Sequence, residues 1–118
     1  MSFGKACVVI PAVIAAGNSL SAAVDLGGLR LAGIEMPAAW TSAGLTFQAA
    51  GSGPAALADL YSEAGAEVSV PAAAGRFIRL EGVVFGGLRW LKLRSGTAAT
   101  PVNQAAERTL KLVLVEVE

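Results

Sequence analysis

The stretch Leu88-Arg-Trp-Leu-Lys-Leu-Arg-Ser-Gly96 is the most direct indication of the fold class, because cationic and apolar side chains alternate along it. Alternation with a period of two is typical of a β-strand that has one face in a core and the other in water. We therefore expect the leucines of this strand to point inward. Trp90, Lys92 and Arg94 are expected to share the opposite face, which would be solvated and cationic.

Turn-forming residues interrupt the rest of the chain about every ten residues, a spacing that favours a β-sandwich or barrel over a helical bundle. The intervals are rich in Val, Ile, Leu and Phe, and they predict seven further strands, at 7–14, 19–25, 29–36, 45–49, 66–70, 76–80 and 109–117. Residues 55–61 contain good helix formers and predict an irregular strand or at most one short helix. The expected fold class is an all-β, single-domain antiparallel β-sandwich.

The core-facing side chains can be assigned from the alternation along these strands. They are predicted to be Leu45, Phe47, Ala49, Val68, Val70, Ile78, Leu80, Leu91, Leu93, Leu110, Leu112 and Leu114. Trp40 follows Pro37 in a loop, and we expect its large side chain to cover one end of the core. The polar segment 97–106 predicts a long connection before the final strand.

The length of the chain fits one domain, and residues 1–118 are large enough to bury a core without a metal or a disulfide. We expect Cys7, the single cysteine, to behave as a small apolar residue. Pro11 interrupts the apolar run near the N-terminus, and that run is far shorter than the ~18 residues of a membrane span. We expect a cytosolically made protein without a membrane anchor. Segment 1–14 leaves two interpretations open, a docking arm or a plain edge or core strand.

The charge balance bears on the choice of partner. Nine basic and nine acidic residues cancel, and neither sign is concentrated in one half of the chain, so nucleic acid is not an expected partner. Charged residues make up 15% of the chain and apolar residues 54%, whereas about 25% of an ordinary soluble domain is charged. This excess predicts burial against other subunits, or else it reflects an alanine-rich composition.

The sequence offers little for catalysis. Histidine is absent, so the usual general base and the usual transition-metal ligand are both missing. A glycosidase needs two neighbouring carboxylates, but the acids in question, Asp25, Glu35, Asp59, Glu63, Glu67 and Glu81, are spread singly over different segments. We expect them to be solvated, although Asp59 and Glu63 could contact calcium if that stretch were helical. Neither an enzyme nor a cofactor is expected.

One candidate binding surface remains. An exposed tryptophan beside planar cationic donors is a common way to build a surface for a sugar or a protein. The residues predicted to form such a surface are Trp90, Lys92, Arg94, Arg89 and Trp40. The alternative interpretation is that a loop or the second sheet covers Trp90, while the cations extend their charged ends into solvent.

A series of motifs covers nearly the whole chain: Gly28-Leu-Arg-Leu31, Met36-Pro-Ala-Ala-Trp-Thr41, Leu45-Thr-Phe-Gln-Ala49, Asp59-Leu-Tyr61, Arg76-Phe-Ile78, Leu91-Lys-Leu-Arg-Ser-Gly-Thr97, Pro101-Val102, Gln104 and Arg108. These motifs resemble a small family of proteins encoded among the head genes of tailed phages and gene-transfer agents. The resemblance implies a virion structural protein on the outer surface of the head. Its role would be that of a decoration or cement protein, or of the base of a head spike or fibre.

The order of a Trp-containing loop, a Leu-x-Phe strand and later strands such as Trp90-Leu-Lys-Leu-Arg94 also resembles the galactose-binding-like jelly roll of discoidin-type domains. This second resemblance implies a jelly-roll fold and assigns no ligand residue. The expected partners are the major capsid protein or other head proteins, with the chain itself in a homo-oligomer. The alternative function is a carbohydrate-binding module that contacts a host-surface glycan.

Overall fold

The computed structural model describes residues 7–81 and 85–116, and in it two four-stranded antiparallel sheets pack against each other. The strands are β1 (Cys7–Ile14), β2 (Val24–Asp25), β3 (Arg30–Glu35), β4 (Leu45–Ala50), β5 (Ala58–Asp59), β6 (Phe77–Arg79), β7 (Trp90–Ser95) and β8 (Arg108–Val115). The first sheet has the order β1-β8-β3-β6, and the second has the order β2-β7-β4-β5. The predicted all-β sandwich is confirmed. Pro54–Ala56 is a 3₁₀ helix just before β5, so segment 55–61 is partly helical and partly strand.

Each strand pairs with the strand that has the same rank counted from the other end of the chain. β1 pairs with β8, β2 with β7, β3 with β6 and β4 with β5, all of them antiparallel. Rolling one long antiparallel ribbon into two sheets produces this arrangement, which is that of a jelly roll. The jelly-roll architecture implied by the resemblance is therefore confirmed.

The core between the sheets is built from alternate residues of the strands. Phe47 meets Phe85 edge to face, with ring centroids 5.2 Å apart and ring planes at 75°, a favoured geometry for aromatic pairs. The inward positions follow the prediction: Leu45, Phe47, Leu80, Leu91, Leu93, Leu110, Leu112 and Leu114 are buried, and Ala49, Val68, Val70 and Ile78 pack against them partly buried.

The predicted strand 19–25 is wrong over most of its length, because only Val24–Asp25 is a strand. Ser21 is buried and replaces the ladder with its own contacts to β7. Its hydroxyl accepts a hydrogen bond from the N–H of Leu93 at 3.0 Å, and its N–H donates to the Leu93 carbonyl at 2.8 Å. The alternation of small polar and apolar residues in this segment therefore does not indicate a regular strand; it belongs to a segment that Ser21 holds against β7.

The predicted strand 66–70 is also not regular. Val70 and Leu45 exchange two backbone hydrogen bonds of 2.9 Å, and Glu67 pairs singly with Tyr61. The predicted loop at residues 83–84 and the predicted strand end at residue 117 lie outside the described residues.

β1 is an edge strand of the first sheet, with β8 as its neighbour. Its bounds agree with the predicted strand, and its residues Ala12 and Ile14 reach the core. From Cys7 onward, segment 1–14 is therefore an edge strand, and a docking role for it remains a prediction.

Candidate functional site

Four of the five predicted site residues lie on or beside the outer surface of the second sheet, which we call the charged face. Its members are Thr46, Gln48, Asp59, Trp90, Lys92 and Arg94. Because Leu91 and Leu93 point into the core, their neighbours on β7 point outward. The register of β7 with β4 sets Lys92 opposite Gln48 and Arg94 opposite Thr46, and β5 sets Asp59 on the other side of Gln48.

Arg94 is buried, so the predicted solvation of this residue is wrong. Its side chain is only 8% exposed. Nη1 and Nη2 both donate to Oδ1 of Asp59 at 2.9 Å, and Nη2 also donates to Oε2 of Glu67 at 3.2 Å. Nε donates to the hydroxyl of Thr46 at 3.0 Å. A buried guanidinium is tolerated when its donors and its charge are paired in this way.

Asp59 and Glu67 come together at Arg94, whereas the sequence predicts separate, solvated acids. They lie 35 and 27 residues away from Arg94 in the chain, so no local spacing indicates the contact. The hydrogen bonds from Arg94 lower the pKa of Asp59 below its ordinary value of 3.8; burial opposes this shift, and Gln48 adds to it. Glu67 also accepts the N–H of Ala98 at 3.1 Å. Two carboxylates are thus fixed by one cation.

Arg89 forms an exposed ion pair beside Trp90. Its Nε donates to Oδ1 of Asp25 at 2.6 Å and its Nη2 donates to Oδ2 at 3.1 Å. These hydrogen bonds, with a smaller contribution from the N–H of Gly27, lower the pKa of Asp25, and the same pair raises the pKa of Arg89. Asp25 lies opposite Trp90 in the register of β2 with β7. Arg89 and Trp90 therefore belong to one end of the charged face.

Trp90 and Lys92 are the predicted site residues that keep open surface without an ion pair. Both are half-buried on the charged face, and neither belongs to the core cluster. Within residues 7–81 and 85–116, the Lys92 ammonium has no hydrogen bond or ion pair. An aromatic ring next to an unpaired cation and the Gln48 amide can contact a polar partner.

Trp40 lies apart from this group. It packs against the core, and its indole N–H donates to the Ala43 carbonyl at 3.0 Å. That contact places it near the end of β4 where Leu45 pairs with Ser95, whereas Trp90 pairs at the opposite end of β4. The length of the strand between them is about 16 Å. The structure thus confirms that Trp40 covers one end of the core and does not bring it to the other predicted site residues.

Gln104 is buried and makes several hydrogen bonds, whereas the sequence predicts a polar connection over 97–106. Its Nε2 donates to the Ser95 hydroxyl at 2.7 Å and to the Thr41 carbonyl at 3.0 Å. Its Oε1 accepts from the N–H of Thr41 at 2.8 Å and from Nε of Arg108 at 3.1 Å. All four hydrogen-bonding positions of the amide are used. All four of these residues belong to the motifs of the family resemblance, and here they connect loops to the end of a strand.

The outer surface of the first sheet differs from the charged face, and we call it the apolar face. Its apolar members are Cys7, Val9, Pro11, Val13, Phe77, Val113 and Val115. Val9 is 49% exposed, Val13 37% and Phe77 61%. The Phe77 ring lies over Gly33, since a Cβ atom on Gly33 would stand 2.8 Å from the ring. The same surface carries charged side chains on β3, β6 and β8, namely Arg30, Glu35, Arg79 and Lys111, so its exposed apolar area is concentrated along β1 and at Phe77.

The described residues contain no group of three or more His, Cys, Asp or Glu side chains that could hold a metal ion. Asp59 is in a strand and Glu63 in an exposed turn, so the helix required for the calcium contact does not form. Within residues 7–81 and 85–116, no helix is long and apolar enough to cross a membrane.

Comparison with known proteins finds no matching family model, no matching curated protein and no matching solved structure.

Proposed function

We propose that the chain is a non-enzymatic structural protein on the outer surface of the head of a tailed phage or gene-transfer-agent particle. It would decorate or cement the capsid, or form the base of a head spike or fibre. The observation that carries the proposal is the apolar face of a jelly roll, an architecture found in viral capsid proteins as well as in lectins and cupins. The motif resemblance points to the same class of protein.

The contrast between the two outer faces supports a docking role for the apolar face. Val9, Val13 and Phe77 leave apolar surface in contact with water, and such surface gains free energy when a partner covers it. On the charged face, by contrast, Arg94 and Arg89 already have carboxylate partners. The proposed partner for the apolar face is the major capsid protein or another head protein, with several copies of this chain around a symmetry axis.

The test uses particles from the bacterium whose genome carries the gene. Purified chain is mixed with empty heads and sedimented through a density gradient, and it is expected to travel with the heads. The double variant Val9→Asp/Val13→Asp places two charges on the apolar face and is expected to bind at least about tenfold more weakly.

The matched control for this experiment is Lys92→Glu, which changes a charge on the opposite face and is expected to bind like the natural chain. If the control lost binding and the double variant kept it, the contact with the head would lie on the charged face and not on the apolar face. A chain that never travels with the heads would contradict the proposal itself.

A second candidate function, carbohydrate binding at the host surface, is favoured by the position of Trp90. The ring is half-buried beside Lys92 and Gln48 on a polar sheet surface, and sugars bind to such aromatic rings. Binding on a glycan array that is lost in Trp90→Ala and kept in Phe77→Ala would support this function. No binding by the natural chain would exclude it for the glycans tested.

A further inference from the structure

A second exposed aromatic side chain lies on the same side of the molecule as Trp90. Tyr61 is 55% exposed and pairs with Glu67 in an isolated antiparallel bridge. Directly opposed residues of such a pair point to the same side, and the carboxylate of Glu67 meets Arg94 on the charged face. Leu60, the residue before Tyr61, packs against the core, which agrees with an outward direction for Tyr61. Trp90 and Tyr61 therefore face the same solvent.

The pairing of β7, β4 and β5 places polar side chains between these two aromatic residues. Gln48 lies opposite Lys92 on one side and opposite Asp59 on the other. Trp90 comes two residues before Lys92, and Tyr61 comes two residues after Asp59. Strand rise and strand spacing then separate Trp90 from Tyr61 by roughly 17 Å, along a diagonal that crosses Gln48. A ligand that touches both rings is therefore elongated and passes over Gln48.

The polar groups along this diagonal include donors and acceptors that are not used inside the fold. The Lys92 ammonium can only donate, and it has no hydrogen bond or ion pair among the described residues. A carboxylate can only accept, and the hydrogen bonds to Asp59 within residues 7–81 and 85–116 all go to Oδ1. Because Arg94 and Gln48 fix the Oδ1 side, the open Oδ2 is oriented before a ligand arrives, which lowers the entropic cost of binding.

We propose that the strip formed by Trp90, Lys92, Gln48, Asp59 and Tyr61 binds an elongated, uncharged oligosaccharide. A hydroxyl group both donates and accepts hydrogen bonds, so neighbouring sugar hydroxyls can satisfy an ammonium, an amide and a carboxylate oxygen together. The aromatic rings can pack against sugar units at the two ends. The inference rests on the second candidate function, carbohydrate binding, and defines its ligand; it does not depend on the capsid role.

The charges around the strip favour an uncharged ligand. Lys92 and Arg94 are balanced by Asp59 and Glu67, which accept hydrogen bonds from Arg94. An acidic ligand would be attracted by Lys92 and repelled by the two carboxylates, so its charge brings no net advantage. An extended peptide usually binds through backbone hydrogen bonds at the edge of a sheet, whereas the strip crosses the face of the sheet, where β4 and β7 already pair with each other.

The first experiment measures binding to an array that carries neutral and uronic-acid-containing oligosaccharides together with their monosaccharides. We expect the natural chain to bind neutral oligosaccharides at least about tenfold more tightly than the other two groups, because only a long ligand reaches both rings. Equal binding of monosaccharides, or a preference for acidic chains, would overturn the inference and leave carbohydrate binding itself intact. No binding to any member of the array would contradict both.

The second experiment tests the Tyr61 end of the strip by titration calorimetry with the neutral oligosaccharide that binds best on the array. Tyr61→Ala is expected to bind at least about tenfold more weakly. The matched control is Phe77→Ala, which removes a similarly exposed ring from the apolar face and should bind like the natural chain. If Trp90→Ala lost binding and Tyr61→Ala kept it, the carbohydrate site would not extend along the strip, and the inference would be wrong.

The third experiment tests the donor between the rings with the same oligosaccharide. Lys92→Met keeps most of the side-chain length and removes the ammonium, so a roughly fivefold loss of affinity is expected. Lys111→Met makes the same change on the outer surface of the first sheet and should leave affinity unchanged. Circular dichroism spectra that match the natural chain establish that each variant is folded. Equal affinity in the two lysine variants would contradict the role of Lys92.

Discussion

The charged face and the apolar face lie on opposite sides of one core, and they meet solvent in different ways. On the charged face, Arg94 is covered and paired with Asp59 and Glu67, although its position on the strand points outward. On the apolar face, Val9 and Phe77 point outward and remain open. The difference shows that strand periodicity determines the side of the sheet to which a side chain points. The neighbouring segments determine whether that side chain is exposed to solvent.

The largest expected effect comes from breaking the covered ion pairs of the charged face. Arg94→Met keeps the length of the side chain and leaves Asp59 and Glu67 without their cation. We expect a loss of about 3 kcal/mol in the free energy of unfolding, measured with urea, because removal of the cation leaves the two carboxylates without an ion-pair partner. Arg94→Lys retains the charge and loses the forked geometry, so an intermediate loss is expected. A loss no larger than that of an exposed arginine variant would show that the network contributes little.

A smaller effect is expected on the apolar face, where the Phe77 ring covers Gly33. Phe77→Ala uncovers the glycine and should lower the free energy of unfolding by about 1 kcal/mol, in spite of the ring's exposure. Gly33→Ala should have a similar cost, because its methyl group forces the ring to move. In the double variant the two losses should not add, since the clash is gone. Full additivity would mean that ring and glycine do not interact.

The pH dependence of stability offers a finer test of the charged face. Asp59 has a folded pKa below its unfolded value of about 3.9. Its ion pair therefore stabilises the fold above that value and is lost as pH falls through the folded pKa. Compared with the natural chain, Asp59→Asn should lose less stability between pH 5 and pH 2. Because Asp59 is partly exposed, the difference should be at most about 1 kcal/mol. Parallel pH profiles would contradict the assignment.

The smallest expected effect concerns the exposed pair of the charged face. Arg89→Gln breaks the ion pair with Asp25, whose side chains are 52% and 38% exposed. Exposed pairs contribute little because solvent screens them. The midpoint of thermal unfolding should not change measurably, and this variant is the reference for Arg94→Met. A clear drop would show that the pair also holds β2 in place.

The strands with long, regular alternation could be predicted from the sequence, because burial acts on each of their side chains separately. β1 has the predicted bounds, and Leu110, Leu112 and Leu114 of β8 are buried as expected. The jelly-roll order came from a resemblance, since hydropathy says nothing about which strands pair.

The polar interior could not be predicted in the same way. The sequence predicts a solvated Arg94, because its partners Asp59 and Glu67 belong to distant segments of the chain. It likewise predicts that Gln104 is a loop residue, because Thr41, which contacts it in the fold, is 63 positions away. A polar side chain looks the same in sequence whether its partner is water or another residue. Such contacts depend on the three-dimensional fold rather than on local spacing.

The ribbon-like pairing of the strands has a consequence for how the chain folds. β8 is the last strand of the described chain, yet it lies between β1 and β3 and pairs with both. β1 leaves the ribosome about ninety residues before β8, a delay of roughly 5 to 20 s at ordinary rates of synthesis. During that time β1 and β3 lack the strand that pairs with both of them, and the uncharged strand β1 is open to pairing with other chains. Refolding should accordingly be slow for a protein of this size, because its contacts join the two ends of the chain.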